Sequence, residues 1–205
     1  MRLGVLVSGG GTNLQALLDA ERVGTLAPAT IAVVISNRPG AGALTRATKA
    51  GKPTLTIDHQ AHPTRDAFED ALAAALIEHR VDALVLAGFM RVLGARFLER
   101  YPDRVLNIHP SLLPAFPGLS APKQALAHGV KVSGCTVHFV DASLDGGAIV
   151  LQDAVPVLDD DTPETLAGRI LEREHVILPR AIKLLADGRL SRDGRHVRLV
   201  AGRAS

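Results

Sequence analysis

Val5-Leu6-Val7-Ser8-Gly9-Gly10-Gly11-Thr12-Asn13-Leu14-Gln15 is an apolar run that breaks into three consecutive glycines and resumes with helical spacing. The β-branched opening reads as a buried strand, and Leu14, Leu17 and Leu18 recur at the period of an amphipathic helix. Strand, glycine turn and helix in that order begin a crossover unit of a parallel sheet. Gly9 and Gly11 permit a tight turn and close approach of backbone to a ligand, while Thr12 and Asn13 fall where a helix end exposes unpaired N–H groups. An anion would be stabilised there. The loop is not a dinucleotide fingerprint: Leu14 stands where the third glycine would be, and Ser36-Asn37-Arg38, not an acid, closes the next strand-like run. The lysine of a Walker loop is absent too. By its own residues the stretch reads either as a phosphate site or as a plain structural turn.

Outward from this unit, strand-like runs at residues 3–7, 30–36, 54–57, 83–86 and 105–108 alternate with helical patterns at 13–20, 43–50, 65–79 and 94–100. Each helical stretch is long enough for a crossover, so the pattern predicts an α/β, doubly wound, mostly parallel sheet with a Rossmann-like amino-terminal half. Residues 131–140 and 149–157 are joined by turn-rich sequence rather than a helix, which predicts that they pair as antiparallel neighbours or flank the loop. Thr162-Pro163 reads as a cap followed by proline at the first helical position, opening a helix that turns Leu166, Ile170 and Ile177 inward. Pro179 should bend that helix and Gly188 should end it. Residues 110–122 form a proline-rich connection after a strand, the kind of segment that can move over a site.

With 205 residues and 47% hydrophobic composition, the chain can bury one substantial core. Aromatics are 3% of residues and tryptophan is absent, which argues against a stacking surface for single-stranded nucleic acid. The formal charge is only +2, and the arginines of residues 189–205 read as a solvated basic tail, so no nucleic-acid partner is expected. Cys135 is the single cysteine, which excludes an internal disulfide; with no signal-like core after Met1 and no membrane-length apolar run, a cytoplasmic protein is expected.

Two further constellations carry chemistry. In Asn107-Ile108-His109-Pro110-Ser111-Leu112-Leu113-Pro114, strand alternation puts Asn107 and His109 on one side, at the carboxyl end of a parallel strand. An amide beside an imidazole suits a developing oxyanion, although a histidine satisfying a loop carbonyl has the same pattern. In Ser143-Leu144-Asp145-Gly146-Gly147, the glycines let backbone pass near a ligand and the carboxylate could favour a protonated histidine, or the motif is simply a turn. Cys135 near His138 has the makings of a nucleophile, but Thr136 and Val137 place it in strand-like sequence, where a buried free thiol is commonly inert. His59 and His62 sit in loop-like sequence with no cysteine nearby, so no metal site is expected.

Taken together and in order, "VLVSGGGTNLQALLDA", "AGFMRVL", "NIHPSLLPAFPG" and "SLDGGAIVLQ" resemble the glycinamide ribonucleotide transformylases of purine biosynthesis, from the first strand to Gly188. The shared core also occurs in methionyl-tRNA formyltransferase and formyltetrahydrofolate deformylase. Those relatives differ after the histidine and carry added domains for which this chain has no room.

The resemblance implies direct attack of the amine of glycinamide ribonucleotide on the formyl carbon of 10-formyltetrahydrofolate, as co-substrate, with no acyl-enzyme and no metal. It assigns Asn107, His109 and Asp145 to catalysis, Gly11, Thr12 and Asn13 to the phosphate, and Glu174 to the ribose. Arg65, Met90, Arg91, Val92, Leu93 and Asn107 are assigned to the folate, together with the loop at residues 141–145. Position 12 is usually serine in that family, and threonine keeps the hydroxyl. Some members carry histidine where this chain reads Leu119-Ser120-Ala121-Pro122-Lys123. The expected organisation is one domain over residues 1–188, with a phosphate-binding half to residue 100, a folate and catalytic half beyond it, and the tail at 189–205. Expected partners are the two small substrates, with no membrane and a monomer or homodimer as the assembly. Hydrolysis of the formyl folate is the alternative reaction, and a non-catalytic phosphate-binding domain is the alternative of another class.

Overall fold

The computed structural model describes residues 1–201. At its centre is a seven-stranded sheet of β1 (Arg2–Val7), β2 (Thr30–Ser36), β3 (Thr54–Thr56), β4 (Ala83–Leu86), β5 (Val105–His109), β6 (Val132–Phe139) and β7 (Ile149–Pro156), in the spatial order β3-β2-β1-β4-β5-β6-β7. β1 to β5 are mutually parallel. β6 runs antiparallel to β5, and β7 to β6, as the missing crossover helix predicts.

Among the described residues, six α-helices cover the sheet: α1 (Thr12–Arg22), α2 (Gly42–Lys49), α3 (Arg65–Glu78), α4 (Ala95–Leu98), α5 (Ala121–Ala127) and α6 (Pro163–Ala186). Alternation along β1 sorts its side chains between two cores. Leu3, Val5 and Val7 pack with Leu14 and Leu17 of α1, Ala43 and Ala47 of α2, and Leu166 and Ile170 of α6. Leu6 faces the other way, into a core with Phe68, Leu72 and Leu76 of α3 and Phe97 of α4.

Three elements depart from the sequence expectation. α4 is one turn rather than a crossover helix over 94–100, because its end tightens into the bonds Arg100 N–Phe97 O and Tyr101 N–Leu98 O ahead of Pro102. The expected connection at 110–122 contains the start of α5, in which Pro122 occupies the first turn, where its missing N–H costs nothing. The expected tail contains a hairpin of β8 (Leu190–Asp193) and β9 (His196–Leu199), turning at Gly194, φ 58°. Residues 202–205 of that tail, Arg203 among them, lie outside the described residues.

α6 begins with the expected cap: Thr162 Oγ1 accepts from Thr165 N, Thr165 Oγ1 accepts from Thr162 N, and Pro163 follows. The helix is continuous through Pro179, which cannot donate to the His175 carbonyl one turn back. No helix among the described residues is long and apolar enough to cross a membrane.

Candidate active site

In a doubly wound sheet, ligands settle outside the carboxyl ends of the strands where the winding reverses, here β1 and β4. β1 runs into the glycine loop, and α1 follows with Gly11 as its N-cap at φ 77° and with no side-chain cap. Glycine is required at 11 twice over. The backbone is left-handed, and a Cβ there would lie 2.5 Å from the Cβ of Ala43. The first bond of the helix is Gln15 N to Gly11 O at 2.9 Å, so the earlier N–H groups of α1 remain for a ligand.

α6 completes this end of the site across the whole length of the chain. Asn13 Nδ2 donates to Glu174 Oε2 at 2.7 Å, while Asn13 Oδ1 is buried with no partner among the described residues. Glu174 is buried, and that burial pushes its carboxyl above the ordinary carboxylate range against the opposing bond from Asn13. A buried acceptor without a donor, beside a desolvated carboxyl, suits the hydroxyl groups of a sugar.

β5 supplies the expected catalytic pair. Its alternation brings Asn107 and His109 to the same side, and the loop at residues 141–147 carries Asp145 to them, with His109 Nδ1 3.4 Å from Asp145 Oδ2. Asp145 adopts a left-handed backbone, φ 51°, and its Oδ2 also accepts from Gly118 N at 2.8 Å. One carboxylate therefore joins three segments. His109 Nε2 donates to the Phe116 carbonyl at 2.9 Å, so both ring nitrogens face oxygen.

His138, a residue to which the sequence assigns no role in the site, orients Asn107. The antiparallel register sets His138 directly opposite Asn107, with Nε2 3.1 Å from Asn107 Nδ2. Its Nδ1 donates to the Phe139 carbonyl at 2.9 Å, and burial pushes its pKa below the ordinary histidine value, which favours the neutral ring. A neutral ring donating from Nδ1 offers only a lone pair at Nε2. The Asn107 amide nitrogen must face that lone pair, which leaves its second N–H for a ligand.

The loop after His109 is tied down at its start. Thr136 Oγ1 donates to Ser111 O at 2.7 Å and accepts from Leu113 N at 3.0 Å, and Gln152 Nε2 donates to Leu113 O at 2.8 Å.

The expected folate residues follow β4. Met90, Arg91 and Val92 are exposed, whereas Leu93 is in the α3 core, so only its backbone can face a ligand. Met90 N donates to Ser8 Oγ at 2.8 Å and Ser8 Oγ donates to Asn37 Oδ1 at 2.5 Å, which ties this loop to the ends of β1 and β2. Arg65 joins the same edge: buried Glu69 accepts from Gly94 N at 2.7 Å and lies 3.8 Å from Arg65 Nε.

The remaining candidates have structural settings. Burial pushes the Cys135 thiol up to about 12, which suppresses the thiolate a nucleophile needs. His59 Nδ1 bonds the Asn37 carbonyl at 2.9 Å, and both His59 and His62 pack edge-on against the Phe68 ring.

The sequence matches the formyl transferase family over residues 1–182. It is 50% identical over 188 residues to the trifunctional purine biosynthetic protein adenosine-3 of Drosophila melanogaster, an alignment that covers 91% of this chain and 14% of that protein. It is 43% identical over 190 residues to the phosphoribosylglycinamide formyltransferase of Escherichia coli K12, covering 93% of this chain and 89% of that one. The crystal structure of glycinamide ribonucleotide transformylase 1 from Symbiobacterium toebii is similar with a TM-score of 0.96 at 56% identity, over 98% of this chain and 94% of that one.

Proposed function

This chain belongs to the formyl transferase family, and on that premise we propose that it transfers the formyl group of 10-formyltetrahydrofolate to the amine of glycinamide ribonucleotide. The products are formylglycinamide ribonucleotide and tetrahydrofolate. The observation that carries the reading is that Asn107, His109 and Asp145 lie at the same edge of the sheet as the uncapped helix end and its Asn13–Glu174 pair.

In this reading the substrate phosphate takes the N–H groups of Gly11, Thr12 and Asn13, and the ribose hydroxyls meet Glu174 and the free Asn13 Oδ1. The folate lies along residues 90–93 with its glutamate end towards Arg65. The amine attacks the formyl carbon, a carbon–nitrogen bond forms, and the carbonyl electron pair moves onto oxygen. That oxyanion accepts from the second Asn107 N–H and from His109, whose Nε2–H exchanges the Phe116 carbonyl for it. Asp145 stabilises the imidazolium. The tetrahedral intermediate then collapses by breaking the bond to the folate nitrogen, which receives the proton lost by the amine.

Hydrolysis of formyl folate could use the same three groups, but it leaves the helix end and the Asn13–Glu174 pair without a role. The discriminating experiment measures tetrahydrofolate release with and without glycinamide ribonucleotide. Release should require the ribonucleotide, and His109→Ala should lower kcat by about 10²-fold or more. Release at the same rate without the ribonucleotide would overturn the reading.

A further inference from the structure

The phosphate-facing end of α1 is shaped from behind by α2. Ala43 N donates to Gly9 O at 3.0 Å, and one turn later Arg46 Nε donates to Gly10 O at 2.8 Å and Nη1 to Gln15 Oε1 at 3.3 Å. Two successive carbonyls of the glycine loop are therefore engaged by α2. What the loop then has left to offer an anion is its N–H groups. Both bonds from Arg46 end on neutral oxygens, so they leave the guanidinium charge uncancelled. The same residue borders a hollow of about 460 Å³ along the first two turns of α1, shared with Thr12, Gln15, Asp19 and His175. His175 Nε2 is itself buried with no partner among the described residues.

We propose that Arg46 is a positioning and specificity residue for the substrate phosphate. It fixes the Gly10 peptide so that the following N–H groups are presented together, and it sets a permanent positive charge beside them. The site thereby prefers a phosphorylated ribosyl amine to the same molecule without its phosphate. This rests on the proposed function, since it concerns the same ribonucleotide. A neutral residue of similar reach would keep part of the scaffold and lose the charge, and lysine would keep the charge and lose the fork that bonds two oxygens at once.

The test compares wild type, Arg46→Gln and Arg46→Lys in the full chain, with thermal melts to verify folding. Calorimetric titration with glycinamide ribonucleotide, and with its dephosphorylated riboside, is run without folate. Arg46→Gln should weaken ribonucleotide binding by ~10-fold, the loss expected for a charge-assisted contact. Riboside binding should be unchanged, and Arg46→Lys should lie between. In turnover, KM for the ribonucleotide should rise while saturated kcat and KM for the formyl folate hold. Equal loss for ribonucleotide and riboside, unchanged ribonucleotide binding, or a fall in kcat alone would each overturn the proposal. Absence of formyl transfer by the wild type would instead overturn the proposed function, because the phosphate preference is read from binding alone.

Discussion

Asp145 holds a left-handed backbone while its carboxylate serves Gly118 and His109 together. Asn tolerates that backbone and keeps an acceptor for the Gly118 N–H, so Asp145→Asn removes the charge alone. It should lower kcat by about 10²-fold with an unchanged melting temperature, measured by steady-state turnover and calorimetry. His138 acts one step further away, through Asn107. His138→Ala should lower kcat by about tenfold, less than loss of an oxyanion donor itself, and His138→Gln should recover part of it by returning an acceptor to Asn107. Unaltered kcat in His138→Ala would refute the orienting role. Asn107 and His109 were legible as a pair because strand alternation is local. His138 was not, because its position opposite Asn107 depends on a β5–β6 register that no short window of sequence contains.

Elements were legible where one kind of spacing dominated. The alternation of strands and helices through β5 specified the parallel part, and the lack of a helix between β6 and β7 specified the antiparallel part. α5 was hidden because Pro122 reads as a loop breaker unless it is recognised as a first-turn residue. The β8–β9 hairpin was hidden because its arginines outweighed the Asp193-Gly194 turn signal. α6 announces itself by its cap, and behind that cap Arg169 grips Asp161 through bonds of 2.7 and 2.8 Å. Thr162→Ala removes a cap bond about three helical turns before Glu174. It should cost about 1 kcal/mol in stability, read from denaturant unfolding, while kcat holds.

At the scale of the molecule, Glu174 couples the site to stability. Its folded pKa is raised above the ordinary 4.5, so the folded state binds the extra proton in the interval between the two values. The associated stability is fully present below 4.5 and is lost as pH rises through the raised pKa. Glu174→Gln should remove that loss, so that its melting temperature gains on the wild type across the interval and is level with it below. Parallel temperature scans across pH would measure the difference. Glu174 also bonds Asn13, 161 residues earlier, through a helix docked on the face that carries α1. During synthesis the growing chain therefore presents only half of the proposed ribose site until α6 emerges and packs. Cut in the exposed turn at residues 159–160, the protein would become two fragments that bind the ribonucleotide only when they reassociate, and ligand capture would report their docking.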